Sequence, residues 1–334
     1  MNPKVSVIIP TYNRAGKVRK AIDSALGQTF RDLEVIVVDD GSSDGTGRIL
    51  QESYGDRIRY FAQANQGASA ARNKGLAEAR GEWIALLDSD DFWEKEKLEW
   101  QFQALERFSP RCGVCYTDTR FFNYPETRTM FQLAEQSYSH EETAGINTDV
   151  LRVLVKPGGA GMVVCTCSIL ARADVVAKSG GFNAKLRFGE DGEFIFRLAL
   201  LTGFCYVNRP LVAVDRAPAA VRHVGVSSEW NNLDFWLRDT QLKHETALAM
   251  GDAIPPEIRK LIRAELASVH SGWANWHLEK GDYAKAREAA FRAMQTVFAF
   301  KLALKWLLTC ASPQLALRAV QHHQELTKDP ARFV

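Results

Sequence analysis

Residues 84–93 read IALLDSDDFW. An apolar run fit for a buried strand ends in three acids, Asp88, Asp90 and Asp91, within four positions. Carboxylates are costly to desolvate and repel one another when crowded, so the cluster needs water, a partner or a cation. Asp88 and Asp90 alternate in an extended stretch and so present to one side, which suits a hard cation such as magnesium or manganese. The plain alternative is a polar loop that caps the next helix, with Asp90 or Asp91 as the N-cap.

The surroundings of this stretch repeat its logic. VSVIIP (5–10) is a β-rich run closed by proline, and LEVIVVDD (33–40) is a nearly continuous apolar run, as a strand covered on both faces should be. RIRYFA (57–62) and EWIALLD (82–88) read as further strands. Between them, AGKVRKAIDSALGQ (15–28), residues 44–54, GASAARNKGLAEA (67–79) and EKEKLEWQFQALERF (94–108) have helical character. Val18, Ile22 and Leu26 fall on one stripe of the first helix. Strand and helix alternating over short connections imply a parallel sheet with crossovers, whose ligands sit beyond the carboxyl ends of the strands. Asp39, Asp40 and Asp88 to Asp91 all lie at such ends. Further on, VCTCSILA (164–171) reads as a strand, EDGEFIFRLALLTG (190–203) as a helix, and CYVN and LVAVDR as a short strand pair. From about residue 230 the character is helical. WANWHLEKGDYAKAREAAFRAM (273–294) suggests a helical hairpin with GDY at its turn, one tetratricopeptide-like unit rather than an array.

The chain has 334 residues, 46% hydrophobic and 25% charged, with a net charge of +2. That is ordinary for a globular protein of one or two domains and gives no field suited to nucleic acid. The charge is uneven: residues 285–334 hold eight Lys/Arg against three Asp/Glu. Within this basic end, VFAFKLALKWLL (297–308) is apolar except for Lys301 and Lys305, which share a face at i, i+4. It reads either as an internal packing helix or as an interfacial membrane helix with snorkelling lysines. No opening signal sequence and no run of about 18 apolar residues is evident. Six cysteines follow no secreted framework, so reduced thiols in a cytoplasmic protein are expected. Cys112 and Cys115 form one C-x-x-C, but strand alternation would send them to opposite faces, and no second pair stands at ligand spacing.

Other stretches carry chemistry. GSSDGTG (41–47) follows a strand, but Asp39 and Asp40 precede it and would repel a pyrophosphate resting there. A carboxylate accepting an N–H from a nucleobase edge fits better, beside helix capping by Ser43 or Asp44. QANQGASAARNKG (63–75) offers small residues for close approach and Arg72 as a fixed cation, either for an ion pair or for a nucleotide. FGEDGEFIFRLA (188–199) opens a helix with Glu190 and Asp191. The macrodipole alone accounts for acids there; as a sharper reading, Asp191 is a general base toward an alcohol. His223, in RHVGVSSE, sits on a loop where it ligates a cation, touches phosphate or does neither.

Taken in order, VSVIIPTYNR, QTFRDLEVIVVDDGSSDGT, NQGASAARNKGLAEARGEWIALLDSDDFW and GGF with FGEDGEFIFRLA resemble the family 2 glycosyltransferases, inverting enzymes of the GT-A fold. The likeness covers residues 4–100 closely and 180–225 more loosely. It implies an α/β GT-A domain over 1–228, with a nucleotide-binding half (1–110) and an acceptor-binding half (111–228), and a C-terminal α-helical extension over 229–334. It further implies that Pro10 and Tyr12 line the base pocket with Asp40 and Asp39, and that Arg72 sits by the nucleotide. Asp88 would reach ribose or metal, Asp90 would bind Mn2+ or Mg2+ with His223, and Asp191 would be the base. The donor implied is a nucleoside-diphosphate sugar, a uridine diphosphate sugar first. The acceptor would be a glycan or a lipid-linked glycan, reached from the cytoplasmic face of a membrane. Gly192 departs from the large residue relatives often carry there, which leaves the acceptor side open. A sugar-phosphate nucleotidyltransferase would need a basic, glycine-rich loop after the first strand, and PTYNRAGK is not one. A non-catalytic sugar-nucleotide binder or scaffold is the remaining alternative.

Overall fold

The computed structural model describes residues 2–122, 128–133, 143–155, 164–215 and 233–326. The chain folds as two compact units, Met1–Ser228 and Glu229–Val334.

The first unit is built on one nine-stranded sheet. β1 (Val5–Thr11) is buried along its whole length and lies between β2 (Leu33–Asp39) and β4 (Trp83–Leu86), with β3 (Arg59–Ala62) beyond β2; all three pairings are parallel. The helices that return the chain are α1 (Val18–Leu26), α2 (Thr46–Tyr54) and α3 (Ala68–Glu78). Period-2 alternation explains the unbroken apolar run. Val5, Val7 and Ile9 join one core cluster with Val18 and Ile22 of α1, while Ile8 faces the other cluster with Ile84 and Leu86. At β1 neither face of the sheet meets water, so no polar alternation is required.

The second half of the sheet is mixed. β8 (Leu170–Arg172) runs antiparallel to β4 and to β6 (Cys112–Phe122), β6 runs parallel to β9 (Gly203–Asp215), and β5 (Phe92–Trp93) and β7 (Ala144–Asn147) pair antiparallel with β9. Helices α4 (Lys97–Phe108), α5 (Met130–Leu133), α6 (Val150–Leu154), α7 (Ala173–Ser179) and α8 (Glu190–Leu201) complete the unit.

Several expectations from sequence are corrected here. VCTCSILA is not one strand: Thr166–Ser168 form a 3-10 turn and only Leu170 onward joins the sheet. CYVN and LVAVD (211–215) are not a hairpin but parts of one 13-residue strand, β9. Cys112 and Cys115 do not point apart, because a register shift between Cys112 and Val114 returns both to the same buried cluster as Cys205. Helix α4 starts at Lys97 rather than 94, with β5 inserted before it, so neither Asp90 nor Asp91 is its N-cap.

Helix α3 sits unusually close to the sheet. A Cβ on Gly75 would overlap Ile8, so glycine is what lets the helix approach β1. Two residues earlier, Asn73 Nδ2 donates to the Phe182 carbonyl (2.8 Å), and the Phe182 N–H donates back to Asn73 Oδ1 (2.7 Å). This reciprocal pair ties the Gly181–Phe182 loop to α3.

The second unit is helical: α9 (Leu233–Ala249), α10 (Pro256–Glu279), α11 (Tyr283–Thr296), α12 (Phe300–Ala311) and α13 (Pro313–Leu326). The expected hairpin is α10 and α11, turning through Gly281, with Asp282 capping α11 by accepting from Lys285 N. Its core is small-residue packing, Ala274 with Ala289 and Ala290, flanked by Trp273 and Trp306. No helix among the described residues is long and apolar enough to cross a membrane.

Asn73→Ala deletes both bonds to Phe182 and leaves its backbone groups unpaired, so it should destabilise the first unit by about 1–3 kcal/mol. Urea denaturation checks this; an unchanged midpoint and slope would mean the loop is held by other contacts.

Candidate active site

The carboxyl ends of β1, β2 and β4 meet in a set of cross-linked loops. Asn13 takes a left-handed backbone (φ 49°), which asparagine tolerates. From there its N–H donates to Ser42 Oγ (2.8 Å), and its Oδ1 accepts from Ser43 N (2.8 Å). Asp39 accepts from Ser42 N (2.9 Å) and from the Tyr60 hydroxyl (2.8 Å). Asp40 accepts from Gln63 Nε2 (2.7 Å), Gln66 N (3.0 Å) and Gly67 N (2.7 Å). Both aspartates are 3% exposed, and their first work is to shape the loops over 41–45 and 63–67. Three of the roughly four acceptor positions on Asp40 are thus occupied. Asp44 accepts from Thr46 N and Oγ1 and from Ala15 N and so braces the turn before α2, but the N-cap is Gly45, so neither Ser43 nor Asp44 is the cap expected from sequence. Pro10 is buried within β1 opposite Val38 and presents no open face, whereas Tyr12 is 40% exposed at the strand's end.

After β4, the D-S-D-D stretch is not extended. It forms a tight turn closed by Asp91 N to Asp88 O (3.1 Å), and the turn rather than strand alternation brings Asp88 and Asp90 to the mouth. Asp91 goes the other way, into the protein: its carboxylate accepts from Asp215 N (3.0 Å) and from the Cys167 thiol (3.0 Å). Burial, then Asp90 and Asp88, push its pKa well above the usual range.

Arg72 of α3 joins this turn to the ED pair at the start of α8. Its guanidinium, 5% exposed, lies 2.9 Å from Asp88 Oδ1, 3.1 Å from Glu190 Oε1 and 3.2 Å from Asp191 Oδ1. The Phe182 ring held by Asn73 lies beneath it, 5.1 Å from the guanidinium carbon. Burial alone would lower the Arg72 pKa, but Asp88, Asp191 and Glu190 more than reverse this. Asp191 is raised by burial, pulled down by Arg72 and pushed up by Asp88. A hydrogen bond from the Thr166 hydroxyl lowers it further. Asp90 is raised by burial and by Asp88, against Arg14, whose Nη2 is 3.5 Å away. Glu190 is pushed up to about 7 by burial and then by Asp191, against the pull of Arg72.

The donor set suits a hard divalent cation. Asp88, Asp90, Glu190 and Asp191 outnumber Arg72 and Arg14, and Asp88, Asp90 and Asp191 are 31%, 32% and 29% exposed, with Glu190 deeper at 17%. Any phosphate ligand would add negative charge to this surplus, so a cation is the natural complement. The trio Asp88, Asp91 and Cys167 places ligand atoms within 4.8 Å of one another. We assign it a structural role: both Asp91 oxygens already accept bonds, and the Cys167 thiol is pushed far up by its neighbour Cys165 and by burial, away from the thiolate that ligates metal.

Of the expected site residues, Asp39, Asp40, Arg72, Asp88, Asp90, Asp191 and Tyr12 thus stand at the carboxyl ends of the strands or on Arg72. Pro10 belongs to the strand core, and His223 lies outside the described residues. Asn13, Arg14, Asn73 and the structural role of Asp91 were missed. Only Asn13 had a sequence signal, as the residue type that tolerates a left-handed turn after a strand.

Glu190 holds its proton more tightly folded than unfolded, so its contribution makes stability fall as pH rises between about 4.5 and about 7. Glu190→Gln should flatten that segment of a stability–pH curve measured by chemical denaturation. A slope unchanged from the native chain would contradict the assignment.

Comparison with known proteins agrees with this geometry. The family model for glycosyl transferase family 2 matches residues 6–175. An uncharacterized glycosyltransferase of Rickettsia typhi is 31% identical over 211 residues, covering 63% of this chain and 63% of the relative, so the chain spans less than two thirds of that relative's length. Among solved structures, Staphylococcus aureus TarS 1-349 in complex with UDP-GlcNAc superimposes with a TM-score of 0.68 at 20% identity, covering 97% of this chain and 92% of that one. The mannosyltransferase PcManGT of Pyrobaculum calidifontis, in complex with GDP-Man and Mn2+, gives 0.56 at 19% identity, covering 98% and 82%. These likenesses share the GT-A fold expected from sequence. With the matched segment carrying β1 to β4, the D-S-D turn and Arg72, the chain belongs to glycosyl transferase family 2.

Proposed function

We propose that the chain is an inverting, divalent-cation-assisted glycosyltransferase that moves a sugar from a nucleoside-diphosphate donor to a hydroxyl acceptor. The observation that carries this reading is Arg72, which holds the D-S-D turn and the ED pair around one guanidinium. A uridine diphosphate sugar is the first candidate donor, since TarS binds UDP-GlcNAc, with guanosine donors next, since PcManGT binds GDP-Man. The acceptor is a glycan or lipid-linked glycan in surface polysaccharide or glycolipid assembly, used from the cytoplasmic side with the C-terminal helices touching the membrane. Residues 1–110 serve the nucleotide and 111–228 the acceptor.

In this reading the exposed Tyr12 ring stacks on the nucleobase, and Asp39 and Asp40 hold the loops that frame it. Asp88 and Asp90 would hold Mn2+ or Mg2+, which supplies charge compensation at the departing diphosphate when bound. Asp191 takes the proton of the attacking hydroxyl. Burial shifts its carboxyl upward, which makes it a stronger base than a carboxylate in water. Arg72 keeps Asp191 oriented while it does so. A single displacement needs no covalent intermediate, so no Ser or Cys nucleophile is required.

Asp191→Asn should leave nucleotide-sugar binding intact and cut transfer, or donor hydrolysis in the absence of acceptor, by about 10²–10⁴-fold. Asp90→Ala should abolish the manganese-dependent part of donor binding. A thermal-shift screen of uridine, guanosine and thymidine donors with and without manganese, followed by turnover assays, checks both. Hydrolysis unaffected by Asp191→Asn would remove the base, and a chain that binds donors without turning any over would be the non-catalytic binder.

A further inference from the structure

Helix α12 is inside out. Phe300, Leu304, Leu307 and Leu308 recur at i, i+4, i+7 and i+8, the spacing of one helical face. That face is turned to solvent: exposures are 78%, 46%, 54% and 36%, with Phe298 at 82% just before and Leu315 at 55% just after. Lys305 faces inward instead, its ammonium donating to Ser271 O (2.9 Å) and Ser271 Oγ (2.6 Å) of α10. Neither reading from sequence holds in full: of the two lysines only Lys301 is exposed, while Lys305 pins the helix by its inner side with the apolar stripe outward. The buried side of α12 is closed further by Thr309, which is 0% exposed.

Charge decides what covers this face. No Asp or Glu occurs between Glu288 and Glu325, whereas Lys301 and Arg318 are exposed in that interval; Arg292 is exposed too but pairs with Glu288 (2.7 Å). A second copy docking on the same face would set cations against cations across a two-fold axis. An anionic surface meets both the stripe and its charges. At 12 residues α12 is about 18 Å long, short of the roughly 30 Å bilayer core, so it suits lying along a membrane rather than crossing it.

We infer that the outward face of α12, with Phe298, Phe300, Leu304 and Leu307 as its apolar contacts and Lys301 beside them, docks on a bilayer containing anionic phospholipid. This rests on the membrane-contact part of the reading above and not on its chemistry. It names the surface and the lipid class that would bring the enzyme to a lipid-linked acceptor.

Flotation of the full chain with vesicles of phosphatidylcholine, alone or mixed with phosphatidylglycerol, tests it. The native chain should partition to the mixed vesicles and little to phosphatidylcholine alone. Phe298→Ser/Phe300→Ser should lower that partitioning about tenfold or more, and Lys301→Glu should weaken it and reduce its salt dependence. All three positions are solvent-facing, so the urea midpoints of the variants should match the native chain. Thermal shifts by nucleotide sugars, read without vesicles, should also be unchanged, which separates failure here from failure of the catalytic reading. Absence of binding to mixed vesicles, or equal binding by the double variant, overturns the inference. So does a dimer in sedimentation that the double substitution dissolves without any vesicle binding.

Discussion

A single buried guanidinium holds the site together. Arg72 stands between the turn that follows β4 and the start of α8, two regions about a hundred residues apart in sequence, and touches a carboxylate from each side. A charge that far from water is tolerable only when paired and hydrogen-bonded. The acids it pairs with are equally dependent, since without it three carboxylates would crowd one pocket. Much of the nearby architecture serves to put Arg72 there. Gly75 lets α3 close on Ile8, and the next residue after Arg72, Asn73, fastens the loop whose Phe182 ring underlies the guanidinium.

The same charge balance links structure to the proposed chemistry. Arg72 offsets part of the carboxylate charge and no more. Each acid therefore feels the others, and Asp90, Glu190 and Asp191 are all shifted toward holding a proton. A carboxylate in that condition is a better base than one in water and a willing partner for a cation. The two uses divide by position: Asp90, on the turn, leans toward Arg14 and the mouth, while Asp191, on α8, is held against Arg72.

The parallel half of the fold was legible because burial on both faces writes itself as unbroken apolar runs, VSVIIP and LEVIVV, with acids marking the carboxyl ends. The second half was not, because its register is set by pairing rather than by pattern. Nothing local in CGVC announces the shift that gathers Cys112 and Cys115, and nothing in VCTCS announces a 3-10 turn. In the site, the acids and Arg72 stood out as costly residue types in apolar surroundings. What each was doing did not: Asp91, adjacent to Asp90, turns inward to hold Asp215 N, and Asp40 spends its oxygens on backbone N–H groups. For α12 the periodicity revealed a stripe but not its direction, which the Lys305 to Ser271 bonds decide.

The central claim is that Asp191, held across Arg72 from the Asp88 turn, activates an acceptor for one direct displacement at the sugar. Proton NMR of the newly formed product, compared with the donor, reads the outcome at the anomeric carbon. The account predicts the opposite anomeric configuration in every initial product. Retention of the donor's configuration would require two displacements or a different face of attack, and would contradict it.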